Sequence, residues 1–140
     1  MFDPTEFADL ANQLGDDDNY TSLAARTRTS LGRAYYALML AVRAAIRTAE
    51  HKSIDLSIED HGHLWRTLED SGAPQLMSIG KLLKELYEAR QKADYHLDPA
   101  DFRWVKKLAD PRFARANAEI AKDAIGRLPG YDFTVVLGKV

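Results

Sequence analysis

Residues 31–46 read Leu-Gly-Arg-Ala-Tyr-Tyr-Ala-Leu-Met-Leu-Ala-Val-Arg-Ala-Ala-Ile, and apart from Gly32, Arg33 and Arg43 every residue is apolar. On a helix that turns about 100° per residue, such a run places apolar side chains on almost every side. A surface helix shows one apolar stripe; a helix apolar all round is the buried centre of a bundle. The run from Ala34 to Ile46 is broken by Arg43 and falls short of the roughly 18 residues that a membrane span needs. Working outward, the spacing predicts a helical stretch from about Tyr20 to Glu50, preceded or split by a break around Thr27 to Ser30.

The flanking segments are helical too. Pro4 to Leu14 forms a first helix, capped by Asp3 and ended by Gly15, with Phe7, Leu10, Ala11 and Leu14 on one face. Asp16-Asp17-Asp18 follows as an acidic loop that lacks the alternation, glycine and closing glutamate of a calcium loop. Beyond a connection at His51 to Glu59, a short helix runs from about Glu59 to Asp70, with Leu64, Trp65 and Leu68 inward, and Ser71-Gly72-Ala73-Pro74 ends it. Another spans about Gln75 to Tyr95 and stops at Leu97-Asp98-Pro99, because the residue before proline avoids the helical region. The last runs from about Pro99 to Arg127, kinked at Pro111, with Phe102, Val105, Leu108, Phe113, Ala116, Ile120 and Ile125 inward. Tyr131 to Leu137 is β-prone, the one strand candidate. The reading is all-α: a single domain over 1–140, an up-and-down bundle of four main helices with short flanking helices, a core over about 20–127 and a tail over 128–140.

The chain's 140 residues are 46% hydrophobic and 29% charged, enough apolar material for one core without staples. There is no cysteine, which removes disulfides, thiol nucleophiles and thiolate metal sites, and which suits a cytoplasmic location. The net charge of −2 argues against wholesale phosphate contact along duplexes but leaves room for a local basic pocket. Met1 to Glu6 is acidic and lacks the apolar run of a signal peptide. No glycine-rich phosphate loop, dinucleotide fingerprint or Ser-His-Asp pattern is present, so no cofactor is expected.

Two arginines stand where apolar residues are expected. In the helix over 75–95, Ile79, Leu82, Leu83, Leu86, Tyr87, Ala89 and Ala93 gather on one side; Arg90 falls inside that arc and Asp94 at its edge. A guanidinium aimed at a core is costly unless paired or facing a pocket, so Arg90 either pairs with Asp94 in a purely structural bundle or lines an anion site. In the preceding long helix, Arg26, Arg33, Arg43 and Arg47 fall within a stripe of about 100°, with Arg28 pointing elsewhere. Arg26, Arg43 and Arg47 read as a solvated edge. Arg33 lies beside Tyr36, Ala37 and Leu40 and needs an acidic partner or a ligand.

These segments carry a resemblance. Gly32-Arg33-Ala34-Tyr35-Tyr36-Ala37, followed by an apolar run and Arg43-Ala44, resembles the second helix of the HEPN superfamily, the nucleotide-binding domain of higher eukaryotes and prokaryotes. Leu86 to His96 is similar to the closing signature of its small bacterial members, an arginine and a histidine separated here by five residues as Arg90 and His96. His61-Gly62-His63 matches a histidine-rich turn between the two helices. The resemblance covers about residues 20–110. It implies a homodimer in which two such motifs face one cleft, and a metal-independent ribonuclease of toxin or defence type. In many members the partner is a nucleotidyltransferase-like antitoxin; others keep the fold without activity and bind a nucleotide or a partner protein.

The residues suit that chemistry. RNA cleavage without a metal needs a base for the 2′-hydroxyl proton and an acid for the leaving oxygen, and an imidazole, whose ordinary pKa is about 6.5, serves either role. His96 is therefore the candidate for proton transfer, and Arg90 for holding phosphate and stabilising developing charge. Arg33, Lys92, Gln91 and Asp94 are candidate substrate contacts, and Tyr95 a base-stacking platform. On an ideal helix His96 lies about 120° round from Arg90, so the two share a cleft where the helix ends near Tyr95 or across two subunits. His61 and His63, two apart, diverge on a helix and do not chelate from one face, so no metal is expected; His61 reads as a cap or a dimer contact.

Overall fold

The computed structural model describes residues 23–49, 61–94 and 102–137. The expected helix over Pro4 to Leu14, the Asp16-Asp17-Asp18 loop, His51, Tyr95 and His96 lie outside the described residues.

The long central helix is α1, Leu23–Ala49. It runs without interruption through Thr27 and Ser30, both buried, where the sequence suggested a break. Helix propensity disfavours threonine and serine only weakly, and packing on this crowded side overrides it. Leu31, Ala34, Tyr35, Ala37, Leu38, Met39, Leu40, Ala41, Val42 and Ile46 are all buried, so the apolar run over 31–46 is enclosed on most sides. Helix α2, His61–Glu69, and helix α3, Pro74–Asp94, form an antiparallel pair, and α3 packs on α1. The turn between them uses Gly72 at φ 76°, a left-handed conformation that favours glycine. The Ser71 hydroxyl donates to Leu68 O at 2.7 Å, and Ala73 N–H donates to Ser71 Oγ at 3.2 Å, so one side chain closes α2 and leads the chain into α3.

The expected kink at Pro111 is a full break. Helix α4, Phe102–Ala109, ends before Asp110, and helix α5, Pro111–Arg127, starts after it. Asp110 is the N-cap, its Oδ1 accepting from Arg112 N–H at 2.9 Å, with proline at the first helical position where no N–H is needed. The inward face of α5 also differs from expectation. Ala114, Ala118, Ala121 and Ala124 are buried, whereas Ala116, Ile120 and, on α4, Val105 are exposed. Alanines let α5 approach α1 closely, and that contact outweighs burying one larger isoleucine. The tail is a correction too. Residues 128–137 contain two single 3₁₀ turns, Leu128–Gly130 and Thr134–Val136, and no strand stands among the described residues. A β-prone segment without a partner strand has nothing to pair with. Its Phe133 and Val136 are instead buried in the main core with Leu128.

At Gly80 the backbone of α3 lies close against that of α2. A methyl group there would lie 2.8 Å from Trp65 O and 3.0 Å from Glu69 N, backbone atoms that cannot swing aside. Gly80→Ala therefore costs about 1–3 kcal/mol through overpacking, more than the roughly 0.5–1 kcal/mol that alanine gains in a helix; urea unfolding will read the net loss. Asp110 supplies a second expectation. The hydrogen bond from the Arg112 side chain, then that from its backbone, holds the Asp110 carboxyl below its ordinary 3.8. The stabilisation is thus complete above pH 4 or so and disappears as the pH falls through the lowered folded-state value. Asp110→Ala lowers the melting temperature at neutral pH, and the gap from the parent protein closes in acid.

Candidate functional site

Arg28, Thr29, Gly32, Arg33, Tyr36 and Leu40 of α1, with Arg90 of α3, line an open cleft of about 480 Å³. The helical period places them. Arg28, Gly32, Tyr36 and Leu40 are four apart and form one row, while Thr29 and Arg33 form the neighbouring row. Gly32 leaves a gap in the first row: a methyl group added there would meet nothing within 4 Å. The wall is therefore low where it faces the cleft, with Arg28 and Arg33 on either side. Arg28, expected to point elsewhere, belongs to the cleft because the row slants across the helix surface rather than running along one angle.

Each guanidinium is held differently. Arg28 Nε donates to Ala93 O at 2.8 Å, a carbonyl of the last turn of α3, where a cation is favoured. The Arg90 guanidinium lies 4.9 Å from the Tyr36 ring centre and 5.9 Å from that of Tyr35. Arg33 is exposed at the cleft edge. Behind Arg90, the fully buried Tyr35 packs edge-on against Tyr36 at 5.4 Å and Tyr87 at 5.3 Å, and Tyr87 stacks at a tilt on Trp65 at 4.9 Å. Burial pushes the Tyr35 hydroxyl well above its ordinary 10.0, and the nearby Arg90 and Arg43 only partly oppose this. Tyr35 therefore stays neutral at physiological pH and serves as a platform, not a base.

The other sequence candidates separate. Gln91 donates through Nε2 to the Tyr87 hydroxyl one turn back, and neither Gln91 nor Lys92 lines the cleft. Asp94 is the last residue of α3, and Tyr95 and His96, beyond it, lie outside the described residues. Arg43 and Arg47, expected at a solvated edge, are half-buried, and Arg43 Nε finds no acceptor among the described residues. His63 is exposed and borders a second hollow with Thr67, Asp70, Ser71 and Val135, and no arginine or lysine stands among the described residues lining it. Among the described residues no group of three or more His, Asp or Glu side chains could hold a metal ion. No described helix is long and apolar enough to cross a membrane.

Sequence reading missed Arg28, Thr29, Gly32 and Leu40 as cleft residues and treated Tyr36 only as a neighbour of Arg33. The four-residue spacing from Arg28 to Leu40 was the available signal. Fold and site together define an all-α bundle with a cationic cleft walled by tyrosine. Comparisons with protein-family models, with curated proteins and with solved structures each return no match.

What the cleft can do follows from its donors. Guanidinium groups donate only, in a planar fork that suits phosphate oxygens, and an aromatic face beside them suits a base. A double-mutant cycle of Arg90→Ala and Tyr36→Leu is expected to give a coupling of about 0.5–2 kcal/mol in urea unfolding, the range of a partly desolvated cation–π contact. Arg90→Ala alone should fall well below the roughly 3–5 kcal/mol that stranding a buried carboxylate costs.

Proposed function

We propose that the chain is a metal-independent endoribonuclease of HEPN type, acting as a homodimer on RNA held in the Arg28–Arg33–Arg90 cleft. The observation that carries this reading is the convergence of three guanidinium groups and the Tyr36 ring on one open cleft. Arg90 and Arg33 take the non-bridging oxygens of a phosphodiester, and the Tyr36 ring takes the face of an adjacent base. The 2′-hydroxyl oxygen attacks phosphorus, the bond to the 5′-oxygen breaks, and a 2′,3′-cyclic phosphate and a 5′-hydroxyl end result. The base that removes the 2′ proton and the acid that protonates the 5′-oxygen are His96 of the two subunits. In the sequence His96 stands two positions after Asp94, the last residue of α3, and six after Arg90. This function belongs to a cytoplasmic toxin or defence effector, with a nucleotidyltransferase-like antitoxin as the partner that restrains it.

A second reading has its own support. The described residues lining the cleft include no histidine and no carboxylate, so this part of the site has groups to bind an anion but none to transfer a proton. In that case the chain is a binding module for a nucleotide or for an acidic partner.

Purified protein, at twice 15.7 kDa by light scattering, is expected to cleave single-stranded RNA in excess EDTA. His96→Ala should lower the rate by about 10²–10⁴-fold with an unchanged melting temperature, and Arg90→Ala by about 10²–10³-fold. A His96→Ala variant as fast as its parent refutes the mechanism. Nucleotide-dependent thermal stabilisation without RNA products establishes the second reading instead.

A further inference from the structure

We propose that the outward face of α4 is a second RNA contact, which grips the phosphate backbone of a strand as it leaves the cleft. The identity of the polyanion rests on the ribonuclease reading; the presence of an anion-binding face does not. Arg103, Lys106 and Lys107 are all exposed and, at three- and four-residue spacing, share an arc of about 100°. Among the described residues no carboxylate pairs with any of them. The one acid between residues 103 and 115, Asp110, is engaged by Arg112 at 3.0 Å. In a chain of net charge −2, a cationic face with no carboxylate paired to it among the described residues is a local exception.

The opposite side of α4 explains why this face is fixed in place. Trp104 and Leu108 pack with Phe113 against buried Leu31, Ala89 and Ala93, a small core separate from the main one. Lys107 Nζ lies 4.7 Å from the Trp104 ring centre and 5.7 Å from that of Phe113, so two aromatic faces hold its ammonium group. Continuity with the cleft runs through Ala93. Its carbonyl takes the Arg28 hydrogen bond on the cleft side, and its methyl group belongs to the core under α4. Ala93 thus ties the cleft to the helix that carries the cationic face, and the proposed strand passes from one to the other over the end of α3.

A lipid surface fits less well. An interfacial helix needs an apolar face to bury, and the larger apolar side chains described on α4 are committed to the protein core. Only Val105 and Ala109 remain exposed among its described apolar residues.

The test is the salt dependence of binding to a single-stranded RNA of about 20 nucleotides, measured on the full chain. Each phosphate that a cation neutralises adds about 0.7 to the steepness of log affinity against log salt for single strands. With three such cations neutralised, the triple variant Arg103→Gln, Lys106→Gln, Lys107→Gln is therefore expected to show a slope shallower by about 2, with the helical circular dichroism of the parent retained at the assay temperature. A Lys106→Arg, Lys107→Arg variant, which keeps the charge, should retain the parent slope. An unchanged slope in the triple variant overturns the proposal, as does an effect confined to phosphatidylserine vesicles. If the slope falls as expected but the parent protein yields no RNA products, the α4 face stands and the ribonuclease reading fails. Cleavage with an unchanged slope removes the α4 face alone.

Discussion

The whole arrangement depends on α1 being buried along its middle while carrying Arg26, Arg28, Arg33, Arg43 and Arg47 and no acidic residue. Desolvating a guanidinium is expensive, so a central helix of this kind can exist only if it keeps an open side for its cations. The cleft occupies that side. Arg28 and Arg33 reach it from α1, and Arg90 joins them from α3. Tyr35 and Tyr36 make the junction between core and cleft, since Tyr35 is fully buried yet offers its ring, with that of Tyr36, to Arg90.

Small residues then determine how closely the other helices approach. Gly80 lets α3 lie against the backbone of α2, and Ala114, Ala118, Ala121 and Ala124 let α5 lie against α1. Helices α1 and α3 also pack on each other, and Arg28 and Arg90 sit on those two helices. The Arg28 bond to Ala93 O spans the same junction and ties the end of α3 to the cleft. The cationic site thus sits where two packed helices meet, so its guanidinium groups are carried on regular elements and not on loops.

Charge is distributed unevenly along this chain. The net value is −2, yet α1 carries only cations, and the stretch from Arg103 to Arg115 carries five cations to one acid. A whole-chain charge therefore says little about a surface built from two such segments. Ala93 links the two segments: its carbonyl takes the Arg28 hydrogen bond, and its methyl group packs in the small core that also holds Trp104.

The bundle was legible from the residues because it rests on local periodicity: the all-round apolar run at 31–46, the stop at Ser71 to Pro74 and the oddly placed Arg90 each declare themselves within a turn or two. Asp110-Pro111 was read as a kink where its cap chemistry makes a break. The alanine face of α5, the buried tail residues Phe133 and Val136 and the membership of Arg28 in the cleft were not legible, since each depends on which helix lies opposite. Sequence alone determined that this chain folds as helices around α1 and that Arg90 needs an unusual environment, because hydrophobic spacing and desolvation cost act within one element. Only the tertiary structure decided that Tyr36 and Arg28, from another helix, complete that environment, because distances between helices are set by the size of the side chains between them.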